Sequence, residues 1–402
     1  MRQIQVFLNH TKKLKVGILL YKERKVFFEY DKDFLKSSFE LSPYKLPLKE
    51  GLFECKDMTF EGLWGVFNDS LPDGWGRLLL DRHLRKLGIN LHEVSVLERL
   101  AYVGQFGMGA LSYEPQSIRE EIGLDKIILD DLAEFSEAIL KGKSEELLDE
   151  LLTLGGSSGG ARPKVLIQLD KQREQIIHGS RVLQEGFSHW MVKFASSVDG
   201  KEIGAVEYAY SLMARDAGLD MPKTTLLHDK KGAYFACERF DRIGEKRVHM
   251  QTVSGLIHSD FRYPSLDYDD LLTLSLHITK SVLEQKKVFR LACFNLFSHN
   301  RDDHAKNFSF VMNEKGVWSF SPVYDITFSS GPGGEHSTMY LGEGKNPSSE
   351  QLLKLAEKHH IKDGSKIIIE VKRSIEKWKE FAKTAAISKG LTSSIDKVLK
   401  GL

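Results

Sequence analysis

"SHNRDDHAKNFSF", residues 298–310, places two aspartates, two histidines, two asparagines, an arginine and a lysine in one short stretch. Apolar runs enclose it: "FRLACFNLF" (289–297) leads in, "FSFVM" (308–312) closes it, and "VWSFSPVYDITF" (317–328) follows. Flanks of that kind read as buried segments, so the polar cluster is a loop held at both ends by core. Surface exposure would explain its polarity. It would not explain why the next apolar segment also ends at an acid, Asp325.

Upstream of that loop stand more polar features in a telling order. A Gly/Ser stretch, "LGGSSGGARPK" (154–164), precedes a strand pattern, and Lys193 sits inside the apolar strand "HWMVKFAS" (189–196). Glu207 lies on the next helical pattern, "EIGAVEYAYSLMARDAGL", and a further strand runs into "CERFD" (237–241). Then come Asp302, Asn307 and Asp325. This is the parts list of phosphoryl transfer in kinase order. That chemistry needs phosphates held, magnesium held and a hydroxyl aimed in line, with little covalent help from the protein. Glycines let backbone N–H groups approach phosphate, and a lysine held by a helix glutamate supplies a point charge. An aspartate orients the acceptor hydroxyl, while an asparagine and a second aspartate offer the oxygen donors Mg²⁺ prefers. Asp302 and Asn307 keep the D-x-x-x-x-N interval of a kinase catalytic loop, and "NRD" (300–302) echoes its H-R-D. Asp325 stands where the D-F-G aspartate would, although the triplet here is Asp-Ile-Thr.

Taken singly, these features have plainer accounts. Residues 155–160 would serve as a linker, Glu207 as a solvated helix position, and Asp302, Asp303 and Asp325 as turn formers. "LPDGWGR" (71–77) reads as a structural turn. His299 and His304 lack the spacing and third ligand of a metal site, and magnesium disfavours imidazole. The order of the set is what favours chemistry.

Composition sets the frame. The chain has 402 residues, 41% hydrophobic and 28% charged, which is ordinary for a folded protein of two or three domains. A formal net charge of +1 gives no bulk reason for nucleic-acid or membrane binding by the chain itself. Cys55, Cys237 and Cys293 stand far apart, which argues against a disulfide framework or zinc site and fits a reducing cytoplasm. No run approaches the roughly 20 apolar residues of a membrane span, and the N-terminus lacks a signal peptide's apolar centre. A soluble cytoplasmic protein is expected.

Along the chain, "IQVFL", "LKVGILLY" and "KVFFEY" predict a strand meander. "LPDGWGRLLLDRHLRKLGIN" predicts a helix stopped at Gly88. Helical, acidic sequence follows from Leu124 to Leu154 with a break at Gly142. Strands are expected over "KVLIQL", "HWMVKFAS", "KTTLLHD" and "GAYFACERFDR", and helices over 268–279, 284–298, 349–359 and 365–384.

Several segments together resemble the HipA-like serine/threonine kinase toxins of bacterial type II toxin–antitoxin systems. The resemblance covers nearly the whole chain. "FNDSLPDGWGR" resembles the family's N-terminal signature, "SSGGARPKVLI" its phosphate loop, "WMVKF" its nucleotide lysine and "CERFDR" its hinge. "DDHAKNFSF" resembles its catalytic loop, "YDITFS" its metal aspartate, and "EHSTMYLGEGKNPS" a further family segment. The resemblance implies ATP and Mg²⁺ as cofactors and Asp302 as the catalytic base. It assigns Gly159, Gly160, Ala161, Arg162, Pro163, Lys164 and Lys193 to the phosphates, and Glu238, Arg239 and Phe240 to the adenine. His304, Lys306 and Asn307 match the nucleotide- and metal-contacting stretch, and Tyr324 with Asp325 the metal-binding pair. It also implies self-phosphorylation of Ser157, with Ser158 adjoining as the other choice. Where the family's loop more often carries Gln-Glu, this chain has Arg162-Pro163.

The fold expected is α+β, a bilobal protein-kinase-like architecture. It has a HipA N-terminal-like subdomain over 1–115, a small lobe with the Gly/Ser loop over 116–245, and an all-α C-terminal lobe over 246–402. The resemblance implies a HipB-like helix-turn-helix antitoxin as partner, DNA contact only through that antitoxin, and a protein substrate, by analogy an aminoacyl-tRNA synthetase. Two other readings use the same residues: a non-catalytic co-repressor scaffold that binds an antitoxin, and a small-molecule phosphotransferase.

Overall fold

Alternation builds the first layer. In β1 (Gln3–Asn9), Ile4, Val6 and Leu8 are fully buried while their neighbours are not, as expected of a strand with one face on a core. A computed structural model of the chain describes residues 3–37, 39–117, 128–143, 147–155, 159–179, 182–196 and 199–401. β1 pairs antiparallel with β2 (Lys13–Lys22), and β2 with β3 (Lys25–Tyr30). β4 (Leu52–Glu54) borders β3, and β5 (Leu111–Glu114) returns to the free edge of β1. The order is β4-β3-β2-β1-β5. Its inner face is aromatic: Phe28 meets Phe67 at 5.1 Å between ring centroids and Trp64 at 6.2 Å.

The short helix Gly65–Asn68 carries this layer onto the C-terminal lobe, where it meets the helix Val253–Ile257. The two backbones touch because both positions are glycine: a Cβ on Gly65 would lie 2.0 Å from the Gly255 carbonyl oxygen. Gly65→Ala is therefore expected to destabilise the fold by roughly 1–3 kcal/mol, the usual cost of overpacking. Chemical denaturation checks this, and an unchanged midpoint would contradict the close approach.

The second sheet forms the small lobe, in the order β7-β6-β8-β10-β9 and antiparallel throughout. Its strands are β6 (Lys164–Asp170), β7 (Ile176–His178), β8 (Phe187–Lys193), β9 (Thr224–His228) and β10 (Ala233–Glu238). One face, with Val165, Ile167, Trp190 and Val192, packs on Leu79 and Leu84 of helix Gly74–Lys86 and on Leu151 of helix Leu148–Gly155. The opposite face carries Lys164, Leu166, Met191 and Lys193 and is turned toward the cleft. Helix Ile203–Asp216 follows β8 and ends before Gly218, whose φ of +78° closes it.

The C-terminal lobe is mainly helical: Tyr268–Thr279, Val282–Phe297, Ser349–Lys358, Gly364–Glu376, Trp378–Thr384 and Lys389–Leu399. From Val288 onward helix Val282–Phe297 is buried almost all round, and it runs straight into the charged loop. One correction to the all-α expectation is needed. Strands His249–Thr252, Ser309–Met312 and Trp318–Phe320 form a three-stranded sheet within this lobe. Each is only three or four residues long, too short to show a period in the sequence. Loop 298–308 is thus clamped between a core helix and a sheet strand. Among the described residues no helix is long and apolar enough to cross a membrane.

Candidate active site

Two lysines define the floor of the cleft. The register of β6 and β8 sets Lys164 directly opposite Lys193, on one face of the sheet. Like charges opposed in this way repel. They are tolerated because acids converge on them. The Lys193 ammonium is paired with the Asp325 carboxylate and lies 3.4 Å from Glu207 Oε2. Burial alone would push the Lys193 pKa down, but Asp325 and Glu207 outweigh it and hold it above the ordinary lysine value. Reciprocally, Lys193 and Lys164 outweigh the effect of burial on Asp325 and hold its carboxyl below the usual range. Among the described residues Lys164 has no comparable ion pair: its ammonium donates to the Gly159 carbonyl, and burial lowers its pKa.

Glu207 stands where the helix after β8 brings it against Lys193, and it is buried. It also accepts from Arg162, whose other nitrogen, Nη2, lies 3.1 Å from Asp199. Arg162, read from the sequence as a phosphate contact, is here tied to two acids. Asp325 itself has a left-handed backbone, φ +55°, a region that Asp enters more readily than most residues.

The charged loop separates its two adjacent aspartates. Asp303 is turned inward: it accepts from the Tyr268 hydroxyl at 2.9 Å and the Ser337 amide at 2.8 Å, and lies 3.0 Å from His336 Nδ1. Asn295 extends this chain, donating to the Tyr268 hydroxyl at 2.8 Å and accepting from Asn300 at 2.9 Å. Asp302 is left exposed to the cleft. Surrounding protein raises its pKa most, His304 opposes this, and Asp325 and Asp303 add to the rise. Asn307 Nδ2 donates to the Asp302 carbonyl at 2.7 Å, which folds the loop back on itself. The Tyr324 hydroxyl donates to the Lys306 carbonyl at 2.7 Å, and its ring lies 5.7 Å from that of Phe240. His304 lies against Phe261, 5.1 Å between centroids.

At the hinge after β10, Glu238 pairs with Lys223 at 3.2 Å. The Arg239 guanidinium is spent on Asp241, Nε to Oδ1 at 2.9 Å and Nη2 to Oδ2 at 2.7 Å, and its backbone N–H donates to the His189 carbonyl at 2.8 Å, so neither is free to serve a base. A cavity of ≈ 310 Å³ opens here, lined among others by Leu166, His189 and Arg239. It shares the Lys193 face of the sheet, since positions 189, 191 and 193 alternate to one side. Burial, then Arg239, push the His189 imidazole down to about 4, so it is neutral. Pro163 fixes the strand entrance, its carbonyl accepting from the Phe194 amide at 2.9 Å. Ser157 and Ser158 lie outside the described residues.

Sequence reading passed over Asp73. It took "LPDGWGR" for a turn, yet the Asp73 carboxylate accepts from the Gly160 amide and pairs with Lys306. No local signal announces this, because the partners are 87 and 233 positions away.

Residues 4–114 match the model of the HipA N-terminal domain, and residues 156–385 match that of the HipA-like C-terminal domain. The chain belongs to the HipA family. As a HipA-family protein it carries the α+β, kinase-like HipA fold. It superposes on HipA of Shewanella oneidensis MR-1, solved with HipB and operator DNA, with a TM-score of 0.69 at 17% identity, covering 98% of this chain and 95% of that one. Two curated relatives bear names that class them as kinases by inference. Y4dM of Sinorhizobium fredii is 26% identical over 151 residues, 34% of this chain and 36% of its own length. A protein of Haemophilus influenzae is 23% identical over 187 residues, 43% of this chain and 52% of its own length. The chain thus matches about a third to a half of the length of these relatives.

Proposed function

We propose that this HipA-family chain is an ATP- and Mg²⁺-dependent protein serine/threonine kinase and the toxin of a toxin–antitoxin pair. One observation carries the reading. Lys164 and Lys193 are forced side by side at the root of a glycine loop, with Asp325 as their counter-ion and the exposed Asp302 in the loop across the cleft. A magnesium triphosphate suits that arrangement, its phosphates taking the two lysines and its ion the acid between them, and the cavity at the hinge suits a base.

The residues fit magnesium in the manner usual for that ion. Among the described residues no three His, Cys, Asp or Glu side chains cluster as a metal cage. Magnesium needs no cage: it keeps waters and takes one or two protein oxygens together with phosphate. Asp325 and the Asn307 amide oxygen would supply those two. When bound, the ion would neutralise charge on the phosphates. Lys193, held in place by Glu207, offsets α/β-phosphate charge, with Lys164 beside it. The amides of Gly159 and Ala161 line the phosphates, with that of Gly160 held by Asp73. Asp302 accepts the proton of the acceptor hydroxyl as the γ-phosphoryl group passes from ATP to the serine or threonine oxygen. Tyr324 and the Asp303 network keep the loop rigid.

By family resemblance the substrate is a translation protein such as an aminoacyl-tRNA synthetase, the partner a HipB-like helix-turn-helix protein that brings the DNA contact, and the setting the cytoplasm. Ser157 or Ser158 is the site of self-phosphorylation. Incubation with labelled ATP and Mg²⁺, followed by phosphosite mapping, tests these points. Label on Ser157 or Ser158 and on a lysate protein is expected, and it should vanish in EDTA. A chain that neither takes label nor shifts its melting temperature with ATP and Mg²⁺ would instead be a scaffold. Transfer to small molecules alone would make it a phosphotransferase of another kind.

A further inference from the structure

Asp73 stands just before helix Gly74–Lys86, the place from which aspartate ordinarily caps its own helix, yet its side chain makes no cap hydrogen bond there. It is 8% exposed, and both carboxylate oxygens are used elsewhere. Oδ1 accepts from the Gly160 amide, and Oδ2 pairs with the Lys306 ammonium. The bond to the loop is reciprocated: the Trp75 amide donates to the Gly160 carbonyl at 2.9 Å. Gly74 permits this approach. Its φ is +42°, and a Cβ there would lie 2.4 Å from the Gly160 oxygen. Lys306 is further confined, its ammonium 4.8 Å from the centre of the Phe261 ring.

Glycine-rich backbone and a long lysine stem are the parts of a phosphate site that lose most freedom when they bind. Their aim must be set beforehand if binding is to be strong. Here one carboxylate from the N-terminal unit grips both, one on each side of the cleft. We infer that Asp73 is a positioning residue for phosphoryl transfer, through which the N-terminal unit fixes the glycine loop and Lys306 at one separation. This rests on the kinase reading above. It assigns the first 115 or so residues a part in the active site beyond packing.

The test uses the full chain with Asp73→Ala, Asp73→Asn, Lys306→Met and the double variant Asp73→Ala/Lys306→Met. KM for ATP and kcat are measured below the melting temperature of every variant, alongside amide exchange over residues 159–162. Asp73→Ala is expected to raise KM for ATP about tenfold or more, the loss of one charge-assisted contact, with a smaller fall in kcat and faster exchange of the loop amides. Asp73→Asn keeps an acceptor for Gly160, so it should preserve loop protection yet still weaken ATP binding through Lys306. The double variant should be no worse than the poorer single variant by more than about twofold, because the residues act as a unit. An unchanged KM in Asp73→Ala, or effects that multiply independently, overturns the inference even when the parent chain is active. A parent chain with no ATP-dependent transfer overturns both this inference and the kinase reading.

Discussion

Asparagine at position 302 is expected to lower phosphotransfer by about a thousandfold, within the range that loss of a general base costs, while melting temperature and ATP affinity stay near those of the parent. The split follows from the two neighbouring acids. Asp302 is exposed, and the hydrogen bond that engages it, from Asn307, goes to its backbone carbonyl, so the side chain can change without disturbing the fold. Asp303→Asn is the opposite case. It alters a fully buried carboxylate that binds Tyr268, His336 and the 337–338 amides, and should be read first as a loss of stability. The pH profile gives a second check. A base works only when deprotonated, and partial desolvation by the cleft around this exposed carboxylate, with Asp325 and Asp303 adding to it, raises the Asp302 pKa from its ordinary value near 3.9. The rate should therefore fall on the acid side at a pH above that of an unperturbed aspartate, and this limb should vanish in the asparagine variant. Parental rates in Asp302→Asn would remove Asp302 from the chemistry.

The largest effect on stability is expected at Asp241. Its side chain is 1% exposed and carries Arg239 at 2.7 Å, Arg242 at 2.8 Å and the Gly109 amide at 2.8 Å. Arg242 also donates to the Gly107 and Gly109 carbonyls, so this cluster pins the N-terminal unit to the hinge. Asp241→Ala leaves two buried guanidiniums without their counter-ion, a change that typically costs about 3–5 kcal/mol. The pH dependence has a definite sign. Burial would raise the Asp241 pKa, but Arg239 and Arg242 outweigh it and hold it far below the unfolded value. The native state therefore binds fewer protons than the unfolded one below about pH 4. The stabilisation is complete above that pH and is lost as the pH falls toward the folded pKa. Urea titrations of parent and variant at pH 7 and pH 3 should show the gap narrowing at the lower pH. A gap equal at both would mean the cluster is not electrostatic.

Much of the layout was readable along the chain because its signals are local. The meander of β1–β3, the helix closed by Gly88, the break at Gly142 and the helix that ends at Gly218 all follow from alternation, period and glycine punctuation. The interval from Asp302 to Asn307 could likewise be counted, and it pointed to a loop whose two ends the fold does hold. Other features left no local mark. The small sheet of the C-terminal lobe is built of strands three or four residues long, whereas helix Lys389–Leu399, with apolar residues at 391, 395, 398 and 399, had a period that the reading passed over. The ion pairs that tie Arg162 to Glu207 and Asp199 were likewise invisible along the chain.

By itself, the sequence determined which residue types are present and the strands, helices and turns that hold them, since these depend on neighbours a few positions apart. Only the tertiary structure decided the charge balance. It opposed Lys164 to Lys193 by strand register, brought Asp325 to them, turned Asp303 inward and Asp302 outward, and set Asp73 between Gly160 and Lys306. Electrostatic energy depends on distance and burial in space, and separation along a chain specifies neither.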